Sequence, residues 1–74
     1  MMELWGAESC KECKVAKEWL RKTPIEWKYI PVEDTGFEGQ IPRVITDDGK
    51  IIIGFGQIKR YILLKMKEMG FQEG

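Results

Sequence analysis

Trp5-Gly6-Ala7-Glu8-Ser9-Cys10-Lys11-Glu12-Cys13 decides how this chain is read. Met2 to Trp5 is a short apolar-leaning segment that runs into small and polar residues suited to a loop. From Cys10 to Lys22 the apolar positions Cys13, Val15, Ala16, Trp19 and Leu20 recur at helical spacing, with Lys11, Lys14, Lys17, Glu18 and Arg21 mostly between them. The order is strand, loop, helix, with Ser9 as the N-cap and both cysteines at the helix start.

Working outward, Thr23-Pro24 stops the helix, because the residue before a proline is pushed out of the helical region. Ile25 to Val32 follows as a strand in which Ile25, Trp27 and Tyr29 alternate with Glu26 and Lys28, the pattern of a partly exposed edge position. Glu33 to Gln40 holds glycines and acidic residues without apolar periodicity, which predicts a loop and no helix. Val44-Ile45-Thr46 and Ile51-Ile52-Ile53 flank Asp47-Asp48-Gly49-Lys50, whose Asp-Gly supplies the positive backbone angles of a tight hairpin. After Gly54-Phe55-Gly56, the stripe Ile58, Tyr61, Ile62, Met66 and Met69 marks the buried face of a second helix ending near Gly70, beyond which the last four residues should fray. The order strand-helix-strand, then strand-strand-helix, makes residues 1–74 a single α/β domain.

Composition narrows the function. A 74-residue chain buries only about 60% of its unfolded surface, which leaves no room for a second domain. Twelve basic residues balance twelve acidic ones, so no net field gathers nucleic acid or anionic lipid. The apolar runs are too short to cross a membrane, and no basic region precedes an apolar stretch at the start, so a cytoplasmic location is expected.

Cys10 sits at a helix N-terminus, beside unpaired N–H groups and the positive end of the helix dipole, where a thiolate is favoured. Cys13, about one turn on, lies on the same side and can attack a mixed disulfide formed at Cys10. Lys11 would favour the Cys10 thiolate and Glu12 oppose it, both from side chains directed to water. Two other readings of the pair remain. A structural zinc site needs two more ligands, and with no histidine and no third cysteine it would have to bridge two chains, as would an iron-sulfur cluster. Alternatively the cysteines are a redox-responsive latch on a binding module.

Trp5 to Cys13 resembles the aromatic-loop-active-site segment of the glutaredoxin family, and Gln40-Ile41-Pro42-Arg43-Val44 is similar to its threonine-valine-proline segment. The resemblance covers nearly the whole chain and implies a minimal thioredoxin fold: a four-stranded mixed sheet with two helices, the helix between strands 2 and 3 deleted. It implies a cis peptide between Ile41 and Pro42, facing the cysteines, with Ile41 pairing with an incoming substrate strand. It further implies a disulfide oxidoreductase with Cys10 as nucleophile and Cys13 as resolving thiol. Lys11, Glu12, Ile41, Pro42, Phe55 and Gly56 would line the substrate site, with no metal and no bound cofactor. Its partners would be protein disulfides and a reductase, acting on a monomer.

Reducing equivalents would come from thioredoxin reductase or glutathione. Ala7 stands where the family has a basic residue, Glu12 where it has tyrosine, and Gly54-Phe55-Gly56-Gln57-Ile58 lacks the family's two aspartates, so the groups that hold glutathione are missing. Gly54-Phe55 is similar instead to the glycine-phenylalanine of the redoxins that serve ribonucleotide reductase and are recharged by thioredoxin reductase. The alternative for Phe55 is a core or rim aromatic. Trp19, Trp27, Tyr29 and Tyr61 are read as core and sheet-covering residues.

Overall fold

The first strand, β1 (Met2–Gly6), alternates its side chains across the sheet, with Met2 and Leu4 buried and Glu3 and Trp5 on the other face. In this computed structural model, which describes residues 1–70, β1 leads through a short loop into helix α1 (Lys11–Arg21). Helix α1 buries Cys13, Ala16 and Leu20, spaced three and four apart along one face. Val15, expected on that stripe, is 53% exposed, because it stands about 100° around the helix from Ala16. The helix ends at Lys22, and the Thr23 hydroxyl donates to the Leu20 carbonyl at 2.8 Å, satisfying one of the last-turn acceptors.

The second strand, β2 (Trp27–Pro31), is shorter than the sequence predicts. It runs parallel to β1 from Met2↔Trp27 to Gly6↔Pro31, so the length of β1 sets its limits. Ile25 packs against the core from outside the strand, and Val32 opens a single 3-10 turn, Val32–Asp34, where only loop was expected. Strand β3 (Arg43–Ile45) pairs antiparallel with β1, and β4 (Ile51–Ile53) with β3, giving the order β2-β1-β3-β4. The edge position expected of β2 is thus observed.

The hairpin forms, with one change of detail. Thr46 belongs to the turn and not the strand, and Gly49 donates to the Thr46 carbonyl at 3.0 Å. Only Gly49 takes a positive φ, 88°, while Asp48 does not. That is the geometry of an ordinary turn closed by one left-handed glycine, not of a turn needing two left-handed residues.

Helix α2 (Phe55–Glu68) buries Ile58, Ile62 and Met66, with Tyr61 half-buried. Met69, expected on the stripe, is 58% exposed because the helix has already ended and Met69 is its C-cap. The expected fraying of 71–74 lies outside the described residues.

Both helices cover the same sheet face. Met2, Leu4 and Val44 meet Ala16 and Leu20 of α1 and Ile58, Ile62 and Met66 of α2 in one core, ringed by Trp19, Trp27, Tyr29, Phe55 and Tyr61. Each fully buried aliphatic side chain contributes about 1.5–3 kcal/mol relative to exposure. No helix lies between β2 and β3 beyond the single 3-10 turn. Phe37, from that connection, instead sits on the opposite face, edge-on to Trp5 with centroids 5.4 Å apart and beneath the Arg43 guanidinium at 4.5 Å.

Candidate redox site

The loop from β1 places Cys10 through a hydrogen bond from its amide to the Ala7 carbonyl at 3.2 Å. Cys10 itself is the N-cap of α1, and its Sγ accepts from the Cys13 amide at 3.1 Å. The expectation of Ser9 as N-cap is therefore corrected. A cap must be extended while its side-chain acceptor reaches back to the first turn, and Cys10, at φ −94° and ψ 111°, meets both conditions with sulfur. The same N–H group that stabilises the helix start thus points at the sulfur that carries charge when reduced.

Cys10 and Cys13 are bonded as a disulfide, with Cα atoms 5.2 Å apart, inside the usual range. Their exposure is unequal. Cys10 is partly accessible, whereas Cys13 is 1% exposed. Cys13 seats against the end of β1 because residue 6 is glycine: a Cβ there would stand 3.0 Å from Cys13 Cβ and 3.2 Å from its Sγ. Sequence reasoning treated Gly6 only as the start of a loop. The signal available was a glycine closing a strand four residues before the first cysteine.

Glu12 is exposed, yet it is not simply directed to water as expected. Its Oε1 accepts the Phe55 amide at 2.9 Å, tying α1 to the first residue of α2. Lys11 is exposed.

Ile41-Pro42 is a cis peptide, as the resemblance implied. Pro42 is fully buried, and Trp5↔Arg43 pairing sets it beside the end of β1 that leads to Cys10. Its carbonyl accepts from the Gly54 amide at 2.8 Å. Consecutive amides of Gly54 and Phe55 therefore bind the Pro42 carbonyl on one side and the Glu12 carboxylate on the other. The cysteine helix, the proline loop and the start of α2 converge by this route.

Phe55 packs edge-on against Trp19, centroids 6.1 Å apart, so it is a rim aromatic of the core as well as a neighbour of Glu12. With Val15, Lys14 and Trp19 it borders a shallow apolar groove on α1. Val15 and Trp19 were not foreseen there; an apolar residue off the buried stripe was the available signal. Ile41 is half-buried beside Pro42, while Gly56 is exposed and a Cβ there would meet nothing. Among the described residues no group of three or more histidine, cysteine or acidic side chains could hold a metal, and no helix is long and apolar enough to cross a membrane.

The chain has a thioredoxin-like fold: among the described residues, a four-stranded mixed sheet, two helices on one face, and a cysteine pair where the first strand passes into the first helix. Among solved structures it is similar to the thioredoxin-like protein BC3987, at TM-score 0.65 and 23% identity over 86% of this chain and 99% of that one. A mutant of that protein matches equally, with 97% of its chain covered. No family model matches the sequence, and no curated protein does. The fold, with two cysteines at disulfide distance, fits a redox function.

Proposed function

We propose that the chain is a dithiol-disulfide oxidoreductase that reduces protein disulfides, with Cys10 as nucleophile and Cys13 as resolving thiol. The observation that carries this reading is the unequal exposure of a bonded pair: Cys10 accessible at a helix N-terminus, Cys13 1% exposed behind it.

In the reduced protein the Cys10 thiolate attacks a substrate disulfide. One substrate sulfur leaves as a thiolate and takes a proton, and Cys10 is left in a mixed disulfide. The Cys13 thiolate then attacks Cys10 Sγ, breaking that bond and releasing the second substrate thiolate. Two electrons have passed to the substrate, and the protein returns to its Cys10–Cys13 disulfide.

Ile41, held in place by the buried Pro42, forms one wall of the substrate groove, with Phe55 and Gly56 on the other side and Lys11 and Glu12 along the helix. No bound cofactor is needed. A reductase recharges the pair in the cytoplasm, thioredoxin reductase being favoured over glutathione because Ala7 and Glu12 offer no cationic or phenolic contact to a glutathione carboxylate. The working form is a monomer.

The test is disulfide reduction by the pure protein in parallel assays, one with thioredoxin reductase and one with glutathione and its reductase, alongside Cys10→Ser and Cys13→Ser. Turnover with thioredoxin reductase that both substitutions abolish supports the reading. Silence in both assays overturns it in favour of a binding module with a redox latch.

A further inference from the structure

Cys13 must shed a proton before it can attack Cys10, and at 1% exposure it has little bulk water of its own. A cavity of about 280 Å³ opens beside it, lined by Cys13, Lys14, Lys17, Glu18, Glu8 and Tyr29. That is room for several waters among polar partners.

The charges around this cavity are not equivalent. From α1, Glu18 is paired with Arg21 at 3.2 Å, and Lys14 is exposed. From the loop, Glu8 is exposed, and its amide donates to Glu33 Oε2 at 3.3 Å. Lys17 is partly buried and stands four residues after Cys13, hence on the same helix face. Its Nζ is 4.3 Å from the centre of the Tyr29 ring, which comes from β2. Ring, cation and sulfur share the cavity, and Tyr29 Cε1 and Cys13 Sγ both lie close to Gly6, 3.4 Å and 3.2 Å from where a Cβ on it would stand. Burial, with the charges of Glu8 and Glu33, pushes the Tyr29 hydroxyl up from 10.0, so the ring stays neutral at physiological pH and can hold the cation.

We infer that Lys17, held over Tyr29, is the positioning residue that stabilises the Cys13 thiolate, and that the cavity carries away the Cys13 proton. The inference rests on the dithiol reading above. The proton passes to cavity water, the Cys13–Cys10 bond forms, the Cys10–substrate bond breaks, and the substrate sulfur leaves as a thiolate. An opposite charge lining the same cavity favours the ionised form of an acid, less so where water screens it.

The test uses reduced protein and an aromatic disulfide that releases a coloured thiolate. Attack by Cys10 releases the first equivalent and resolution by Cys13 the second, and the rate of the second is followed against pH. Lys17→Gln should raise its pH midpoint by on the order of 1 unit and slow it roughly three- to tenfold near neutrality, while Lys17→Arg stays close to the native profile. Raised ionic strength should move the native midpoint the same way, a readout that needs no variant. An unmoved midpoint in Lys17→Gln, an equal shift in Lys17→Arg, or a native midpoint indifferent to salt overturns the inference. Absence of a second equivalent from the native protein counts against the dithiol reading itself.

Discussion

Glu12 and Phe55, 43 positions apart, are joined by one hydrogen bond in which the Phe55 amide donates to Glu12 Oε1 at 2.9 Å. Helix α2 has no acidic residue in its own first turn, and its N-cap, Gly54, has no side chain to offer. The carboxylate that complements the positive end of α2 is therefore lent by the cysteine helix.

Glu12→Ala should remove this cap and lower stability by about 1 kcal/mol, the usual cost of losing a capping side chain. In a domain of this size that corresponds to a melting midpoint lower by roughly 4–8 °C. Glu12→Gln, which keeps an acceptor oxygen, should lose less. Thermal unfolding of the three proteins is the measurement, and coincident midpoints would show that the bond contributes nothing.

Gly6→Ala should be worse tolerated than its small size implies. The added methyl would stand 3.0 Å from Cys13 Cβ and 3.2 Å from Sγ, and the neighbours are a packed helix and a strand with little freedom to move. Overpacking of this kind costs about 1–3 kcal/mol. Denaturant unfolding of the oxidised and the reduced forms should both register the loss; native stability in both would mean that α1 can shift outward freely.

Phe37→Ala should strip the outer sheet face of its aromatic cover over Trp5 and Arg43. A half-buried phenylalanine making an aromatic pair and a cation contact is worth about 1–2 kcal/mol here. Thiol exchange should continue, since Phe37 faces away from the helices and the core they share. A variant that keeps its stability, or loses exchange while folded, would contradict this assignment.

The hairpin carries an acid response. The Thr46 hydroxyl, donating to the Asp48 carboxylate, is the main cause that holds that carboxylate below its ordinary 3.8. Since the folded value is the lower one, the stabilisation is fully present above about pH 4 and is lost as pH falls through the folded value. Thr46→Val should flatten that part of the acid-unfolding curve. It should also weaken the fold at neutral pH by ~1 kcal/mol, because the Lys50 amide loses its acceptor, Thr46 Oγ1, at 3.0 Å. Acid titrations followed by circular dichroism decide the matter: parallel curves for the two proteins would rule out the Thr46 contribution.

Features with a local cause were legible in the sequence. The Asp48-Gly49 turn, the proline stop at Pro24, the edge character of β2 and the absence of a full helix after Glu33 each follow from residues within a few positions of one another. The cysteine pair at a helix start belongs with them. What could not be read depends on partners distant in the chain or on exact helix phase. Val15 differs from Ala16 only in its angle around α1, and Met69 from Met66 only in falling past the last turn. Phe37 sits in a segment without periodicity, so nothing local says that it folds beneath the sheet. The Glu12–Phe55 bond joins two helices whose meeting is itself a product of the fold, and Lys17 reads as a solvated face until Tyr29 is placed against it.

The position of β1 has a consequence for how the molecule breathes. Like β3 it has partners on both sides, and its last residue passes directly into the loop that holds Cys10. The outer strands can fray, and the turn at Asp47 and Asp48 can open, without disturbing that central ladder. Amides of Leu4 and Trp5 should then exchange with solvent only when the whole molecule unfolds, those near the edges far sooner. On that expectation the loop holding Cys10 hangs from the part of the sheet that opens last, and partial unfolding at the margins should leave thiol exchange unchanged.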